Sequence, residues 1–220
     1  MPNTEKDYQF VVEMAPLDLV PHAIHLFLEQ VAHGLWDHSF MYLNGPHVLQ
    51  IGPQDFNTDD DVNALHSFYE AELDEMMFPD YSQDFPHLPW TLGYTGRPGG
   101  PDFYINKVDN TKAHGPGGQY QHVLEEQGDS CFGKIISGHQ HLRKHVFSLD
   151  IYKDNTDYHW FFVDPVEIIQ VVILKEEKVQ QQEQQPSGGR VPKTDNAPKN
   201  TRDKNKRKAR LPKMDHMAEA

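Results

Sequence analysis

"GRPGGPDFYIN", Gly96 to Asn106, packs three glycines and two prolines into a few residues and then turns abruptly aromatic and β-branched. A glycine-rich loop invites a phosphate-binding interpretation, which has definite requirements. A Walker-type loop ends in Gly-Lys-Ser/Thr at a helix N-terminus, and a dinucleotide loop sets GxGxxG between a strand and a helix. Neither pattern is present. "DFYIN" has strand character, so no helix dipole or converging N–H groups stand behind the loop. The stretch reads instead as a tight turn, with glycine supplying positive φ and proline fixing φ, leading into a strand. A second cluster, "HGPGGQ" (His114 to Gln119), follows eight residues later.

Working outward, the flanking segments alternate strand and turn. "WTLGYT" before the loop and "SCFGKIISG" after it read as strands, and "HQHLRKHVF" as a short helix. Nearer the N-terminus, "YQFVVEM" (Tyr8 to Met14) reads as a first strand. Pro21 then stands at a helix start, Ile24, Phe27, Leu28 and Val31 follow at helical spacing, and Gly34 suits the helix end. "HSFMYLN" and "HVLQIG" predict two strands around an Asn-Gly-Pro turn. "YHWFFV" and the apolar run "VEIIQVVILK" predict strands near residue 170. Many short strands with two or three helices predict a mainly-β barrel or sandwich.

Two segments depart from this composition. From Gln54 to Pro89 there are ten acidic residues and no lysine or arginine. Within it Thr58 and Asp61 suit a helix start, and Val62, Leu65, Phe68, Tyr69, Leu73 and Met76 form one apolar face. This predicts a half-docked helical insert with an anionic outer surface. From residue 176 the chain becomes rich in Gln, Glu, Pro, Gly and Lys without apolar periodicity, too polar to offset the entropy of ordering it. Residues 176–220 are therefore expected to be disordered, leaving 1–175 as the folded domain. The net charge of −13 conceals an asymmetry: residues 186–220 hold ten Lys/Arg against four Asp/Glu, and residues 1–185 hold ten against 29.

Composition also excludes some classes. Cys131 is the only cysteine, which rules out an intrachain disulfide framework and multi-cysteine metal clusters and fits a reducing compartment. No apolar run reaches the roughly 18 residues of a membrane span, and the N-terminus has neither a basic n-region nor an apolar h-region. A complete chain would therefore be expected in the cytoplasm or nucleus. With a first strand beginning by Tyr8, there is also room for a longer gene product.

The order of these pieces resembles a cyclophilin, the barrel-shaped peptidyl-prolyl isomerase. "PLDLVPHAIHLFLEQVAHGLWDHSFMY" is similar to the family's proline, first helix, glycine, aspartate and aromatic-containing strand. "HVLQIGPQDF" resembles its glutamine–glycine strand, "GGPDFYIN" its Phe-Phe-Ile strand, and "DSCFGKIISG" the Phe-Gly-Lys segment before the second helix. The resemblance spans about residues 8–175, interrupted by the acidic insert. It implies an eight-stranded antiparallel β-barrel capped by two helices, with proline-containing peptides bound across one face and no cofactor.

The resemblance also implies a site. A peptide C–N bond resists rotation with a barrier of ~18–20 kcal/mol. Cyclophilins lower it with an arginine that hydrogen-bonds the substrate while apolar residues grip the proline ring, a preorganised donor favouring the transition state. Carried onto this sequence, Tyr42 stands at the arginine position and Gln50 matches the family glutamine. His47 and Val48 replace a pocket phenylalanine and methionine. Phe103 matches a barrel-core aromatic, Tyr104 the pocket floor, Asp129 a pocket histidine, and Leu124 falls near a tryptophan position. A tyrosine offers one neutral donor in place of a charged bidentate fork, and losing a main transition-state donor costs ~10²–10³ in rate. The expectation is a peptide-binding groove with weak isomerase activity. A non-catalytic scaffold using the acidic insert and basic tail is the alternative. Arg97 and Arg143 are the other cations weighed as replacements.

Other constellations favour structural roles. His141 and His145 have a workable i, i+4 ligand spacing but neither an adjacent glutamate nor a third ligand, so no metal is expected. His22 and His25 sit beside the stripe of the first helix. Cys131, in a predicted strand, reads as a small buried hydrophobe. "DDDVNALHSFYE" has the wrong spacing for an EF-hand. "KNKRKAR" (Lys204 to Arg210) suits an unstructured solubilising terminus, with nuclear localisation or contact with RNA or an acidic partner as the functional alternatives.

Overall fold

The computed structural model describes residues 8–53, 62–96, 99–119, 127–153 and 159–174. Arg97, Leu124, the start of the acidic insert with Thr58 and Asp61, and the 176–220 tail with its basic run lie outside the described residues.

Pro21 opens the first helix, α1 (Pro21–Ala32), where its missing N–H is no loss. Ala23, Ile24, Leu26, Phe27 and Val31 are buried along the predicted stripe, and Gly34 adopts φ +68° just beyond the helix end. Val20 offers no side-chain cap; the His22 N–H is taken by Asp80 Oδ2 at 2.9 Å, 58 positions away.

The strands are β1 (Val11–Met14), β2 (Ser39–Asn44), β3 (Val48–Gly52), β4 (Thr91–Tyr94), β5 (Phe103–Asn106), β6 (Cys131–Ser137) and β7 (Phe161–Ile168). They form one antiparallel sheet in the order β1-β6-β4-β5-β3-β2-β7. The expected eight-stranded closed barrel is therefore, among the described residues, a seven-stranded sheet that is not closed. The apolar run after Val166 also behaves differently from expectation. β7 ends at Ile168, and Ile169, Val172, Ile173 and Leu174 are exposed. Pro165 lies within β7, which is tolerable because β7 is an edge strand.

Strand alternation sorts side chains to two faces. Leu49 and Ile51 of β3, and Phe103 and Ile105 of β5, enter the core with Phe27, Trp36 and Phe132. Phe103 meets Trp36 edge-on at 4.7 Å and Phe27 at 5.5 Å. One buried polar residue ties the layers together. Gln30 of α1 accepts from Trp36 Nε1 at 3.1 Å and Tyr94 Oη at 3.0 Å, and donates to the Leu73 carbonyl at 2.7 Å.

The acidic insert is docked more deeply than its charge suggests. Its helix, α2, spans Val62–Glu70 and ends before the predicted face does. Phe68 and Met76 are buried, Leu73 packs against the core, and Tyr69 is exposed. Beyond the helix, the Met76 N–H donates to the Gly99 carbonyl at 2.9 Å. Gly100 has φ +107°, and a Cβ there would lie 3.0 Å from the Asp74 carbonyl oxygen. The glycines of the opening loop thus let the insert pass over it.

"HQHLRKHV" forms a short helical turn, α3 (His139–His141), continued by a π-helical turn over Leu142–Val146. His145 stacks on Tyr8 at 4.2 Å.

Candidate functional site

The same alternation that buries Leu49 and Phe103 turns Val48, Gln50 and Tyr104 to the opposite face. Gln50 and Tyr104 are direct partners across β3 and β5. Together with His47 and Asp129 these residues line one groove of about 370 Å³. Five of the eight site residues expected from sequence are therefore brought together. Phe103 is in the core, as its alignment position implied, and Leu124 lies outside the described residues.

Tyr42 is placed differently from a groove donor. The β2–β3 pairing shifts register between Met41 and Leu43. Leu43, not Tyr42, pairs with Gln50 and lines the groove. Tyr42 is buried, and its hydroxyl donates to Asp102 Oδ2 at 2.6 Å. Asp102 also accepts from the Gln50 side chain. Burial raises the Asp102 pKa, and the two hydrogen bonds oppose the rise. Burial, followed by the charge of Asp102, pushes the Tyr42 phenol well above its usual range. The phenol is thus a permanently protonated donor already committed to a carboxylate.

At the other end of the groove Asp129 is the hub. One oxygen, Oδ2, accepts from Tyr104 Oη at 3.0 Å and Gln119 Nε2 at 2.9 Å, and lies 2.8 Å from His114 Nδ1. The Asp129 N–H donates to the His114 carbonyl at 2.8 Å, so the two residues clamp each other reciprocally. His114 ends the single helical turn Thr111–His114. His87, fully buried, reaches the Asp129 carbonyl at 3.0 Å through Nε2. The His47 ring stacks on His114 at 5.8 Å. Burial lowers the His47 pKa, and the nearby His114 and Lys107 lower it further. Gly93 leaves the space that the Tyr104 ring occupies: a Cβ on Gly93 would come within 2.7 Å of the ring.

Asp102, His114, Gln119 and His87 were not singled out from sequence. Asp102 directly precedes the Phe103–Tyr104 pair, so its placement in the site was available from strand alternation. His114 and Gln119 stand in the second glycine cluster, whose loop path no periodicity describes. Arg143, weighed as a replacement cation, lies over the Trp90 ring at 5.0 Å and does not line the groove. Among the described residues no group of His, Cys, Asp or Glu is arranged to hold a metal ion, and no helix is long and apolar enough to cross a membrane.

The groove, the aromatic floor and the sheet that carries them define a class of fold. No family model matches the chain, and no curated protein matches it. Among solved structures it is similar to a cyclophilin type peptidyl-prolyl cis-trans isomerase of Cryptosporidium parvum, in two crystal structures. One was determined in the presence of the dipeptide Ala-Pro. Both give a TM-score of 0.51 at 16% identity over 76% of this chain, and 93% and 92% of theirs. The chain has a cyclophilin-like fold.

Proposed function

We propose that this protein binds proline-containing peptides in the groove between Gln50, Tyr104 and Asp129, and that any isomerase activity is weak. The observation that carries this is the convergence of His47, Val48, Gln50, Tyr104 and Asp129 on one groove of a cyclophilin-like sheet. A structural neighbour studied with Ala-Pro supports the ligand class. The weakness follows from Tyr42. Isomerisation needs a donor aimed at the twisting prolyl amide, and this hydroxyl is spent on Asp102. We take the sheet to be the larger part of an eight-stranded barrel, whose further strand would join the open edges β1 and β7.

The test is two-dimensional exchange NMR on an Ala-Pro tetrapeptide with and without protein. Chemical-shift changes at His47, Tyr104 and Asp129, with cis–trans exchange at least ~10²-fold slower than an arginine-bearing cyclophilin gives, are expected. Saturating peptide without shifts at these residues would sink the groove assignment.

A further inference from the structure

Two buried polar atoms on residues that line the groove have no task in peptide binding as proposed so far. Among the described residues, the buried side-chain nitrogens and oxygens without a hydrogen-bond partner are Thr95 Oγ1 and His114 Nε2. Both residues line the groove. A buried polar atom is costly to leave unsatisfied, and a pair of them on residues lining a ligand-sized groove calls for a partner from outside the chain. His114 is only 7% exposed, so this atom is not a surface group idling in solvent.

The other side of the imidazole decides what that partner must be. His114 Nδ1 lies 2.8 Å from Asp129 Oδ2, buried and already accepting from Tyr104 and Gln119. A carboxylate oxygen at that distance requires the proton to sit on Nδ1. Gln119 Nε2 also comes within 2.6 Å of Nδ1, and its N–H is directed to the carboxylate. With Nδ1–H directed at Asp129, the Nδ1–H tautomer presents a lone pair at Nε2, an acceptor without a donor.

We propose that this end of the groove selects a peptide carrying a hydroxyl beside or on its proline, donated to His114 Nε2, with the Thr95 hydroxyl as a second polar contact. Serine–proline and hydroxyproline peptides belong to this ligand class; a bare ring leaves Nε2 unserved. The inference rests on the peptide-binding function proposed above and adds its specificity.

The test uses the full chain and a panel of blocked peptides in which the hydroxyl stands before, on or after the proline ring. Each is compared with its O-methyl ether, which keeps the acceptor and removes the donor, and with its parent lacking the oxygen. In one register the hydroxyl peptide should bind roughly threefold to tenfold tighter than both controls. In the free wild-type protein the His114 Nε2 nitrogen resonance should be that of an unprotonated ring nitrogen, moving upfield when the hydroxyl peptide binds. His114→Phe should erase the preference, and the wild-type resonance decides the matter if that variant fails to fold. Equal affinities in every register, with water serving Nε2, or a protonated Nε2 in the free protein would overturn the hydroxyl specificity while leaving peptide binding standing. Binding of no peptide in the panel would overturn the proposed function, and the specificity with it.

Discussion

Tyr42 and Asp102, 60 positions apart in the chain, share a 2.6 Å hydrogen bond whose carboxylate also engages Gln50. This relationship alters what restoring an arginine at position 42 would achieve. A guanidinium there would meet a buried carboxylate before it met a substrate, and a close ion pair would hold it. Tyr42→Arg alone is therefore expected to gain less than about tenfold in isomerase rate. Combined with Asp102→Asn, which removes the competing charge, the gain should approach ~10²-fold. A single variant as active as the double in the exchange assay would refute the sequestration of position 42.

The same pair predicts a pH-dependent stability. Asp102 has a folded-state pKa above its ordinary value because of burial, held back by the donors from Tyr42 and Gln50. Its contribution to stability is fully present below the unfolded pKa and is lost as pH rises through the folded one. Tyr42→Phe removes one donor from the carboxylate, so the loss deepens. The variant should be less stable than wild type by about 1–3 kcal/mol at neutral pH. That gap should narrow in acid, where Asp102 is protonated in both proteins. Urea titrations at several pH values would read it; a gap independent of pH means that Asp102 is not the responsible group.

Gly93 is expected to be intolerant of even one methyl group. A Cβ there would lie 2.7 Å from the Tyr104 ring, and the displaced ring would also lose its bond to Asp129. Gly93→Ala should cost about 1–3 kcal/mol by overpacking and weaken groove binding along with it. Denaturation midpoints and peptide titration measure the two effects separately. An unchanged affinity would show that Tyr104 is not part of the binding surface.

Cys131 should be chemically silent in the native protein. Its thiol is buried, and burial pushes its pKa up to about 12. At mildly alkaline pH the thiolate fraction is then on the order of 10³-fold below that of the unfolded chain, so alkylation should slow accordingly. The associated stability is fully present below the ordinary value near 9.0 and is lost as pH rises toward about 12. Rapid native alkylation, measured by mass spectrometry, would contradict this burial.

Local periodicity and turn chemistry carried much of the architecture. Pro21 and the Ile24, Phe27, Val31 spacing marked α1, and "HVLQIG" and "DFYIN" read as strands, since these signals depend only on neighbours in sequence. The division of their side chains between core and groove came from the family resemblance. The docking of the acidic insert has no local sequence signal. Ten carboxylates without a cation suggested a solvated face, yet Asp80 caps α1, and the segment after α2 packs over Gly99 and Gly100. No local pattern reports a partner 58 residues away.

For the candidate site, the sequence alone determined which side chains stand at alternate positions on β3 and β5, and that no arginine occupies position 42. Only the tertiary structure decided what those residues do. The register shift in β2 hands the groove position to Leu43 and turns Tyr42 toward Asp102. Two loops meet to close the Asp129–His114 clamp and leave Nε2 without a partner. Strand alternation is a property of the chain. Bulges, clamps and orphaned atoms arise where distant segments meet, and there packing sets the outcome.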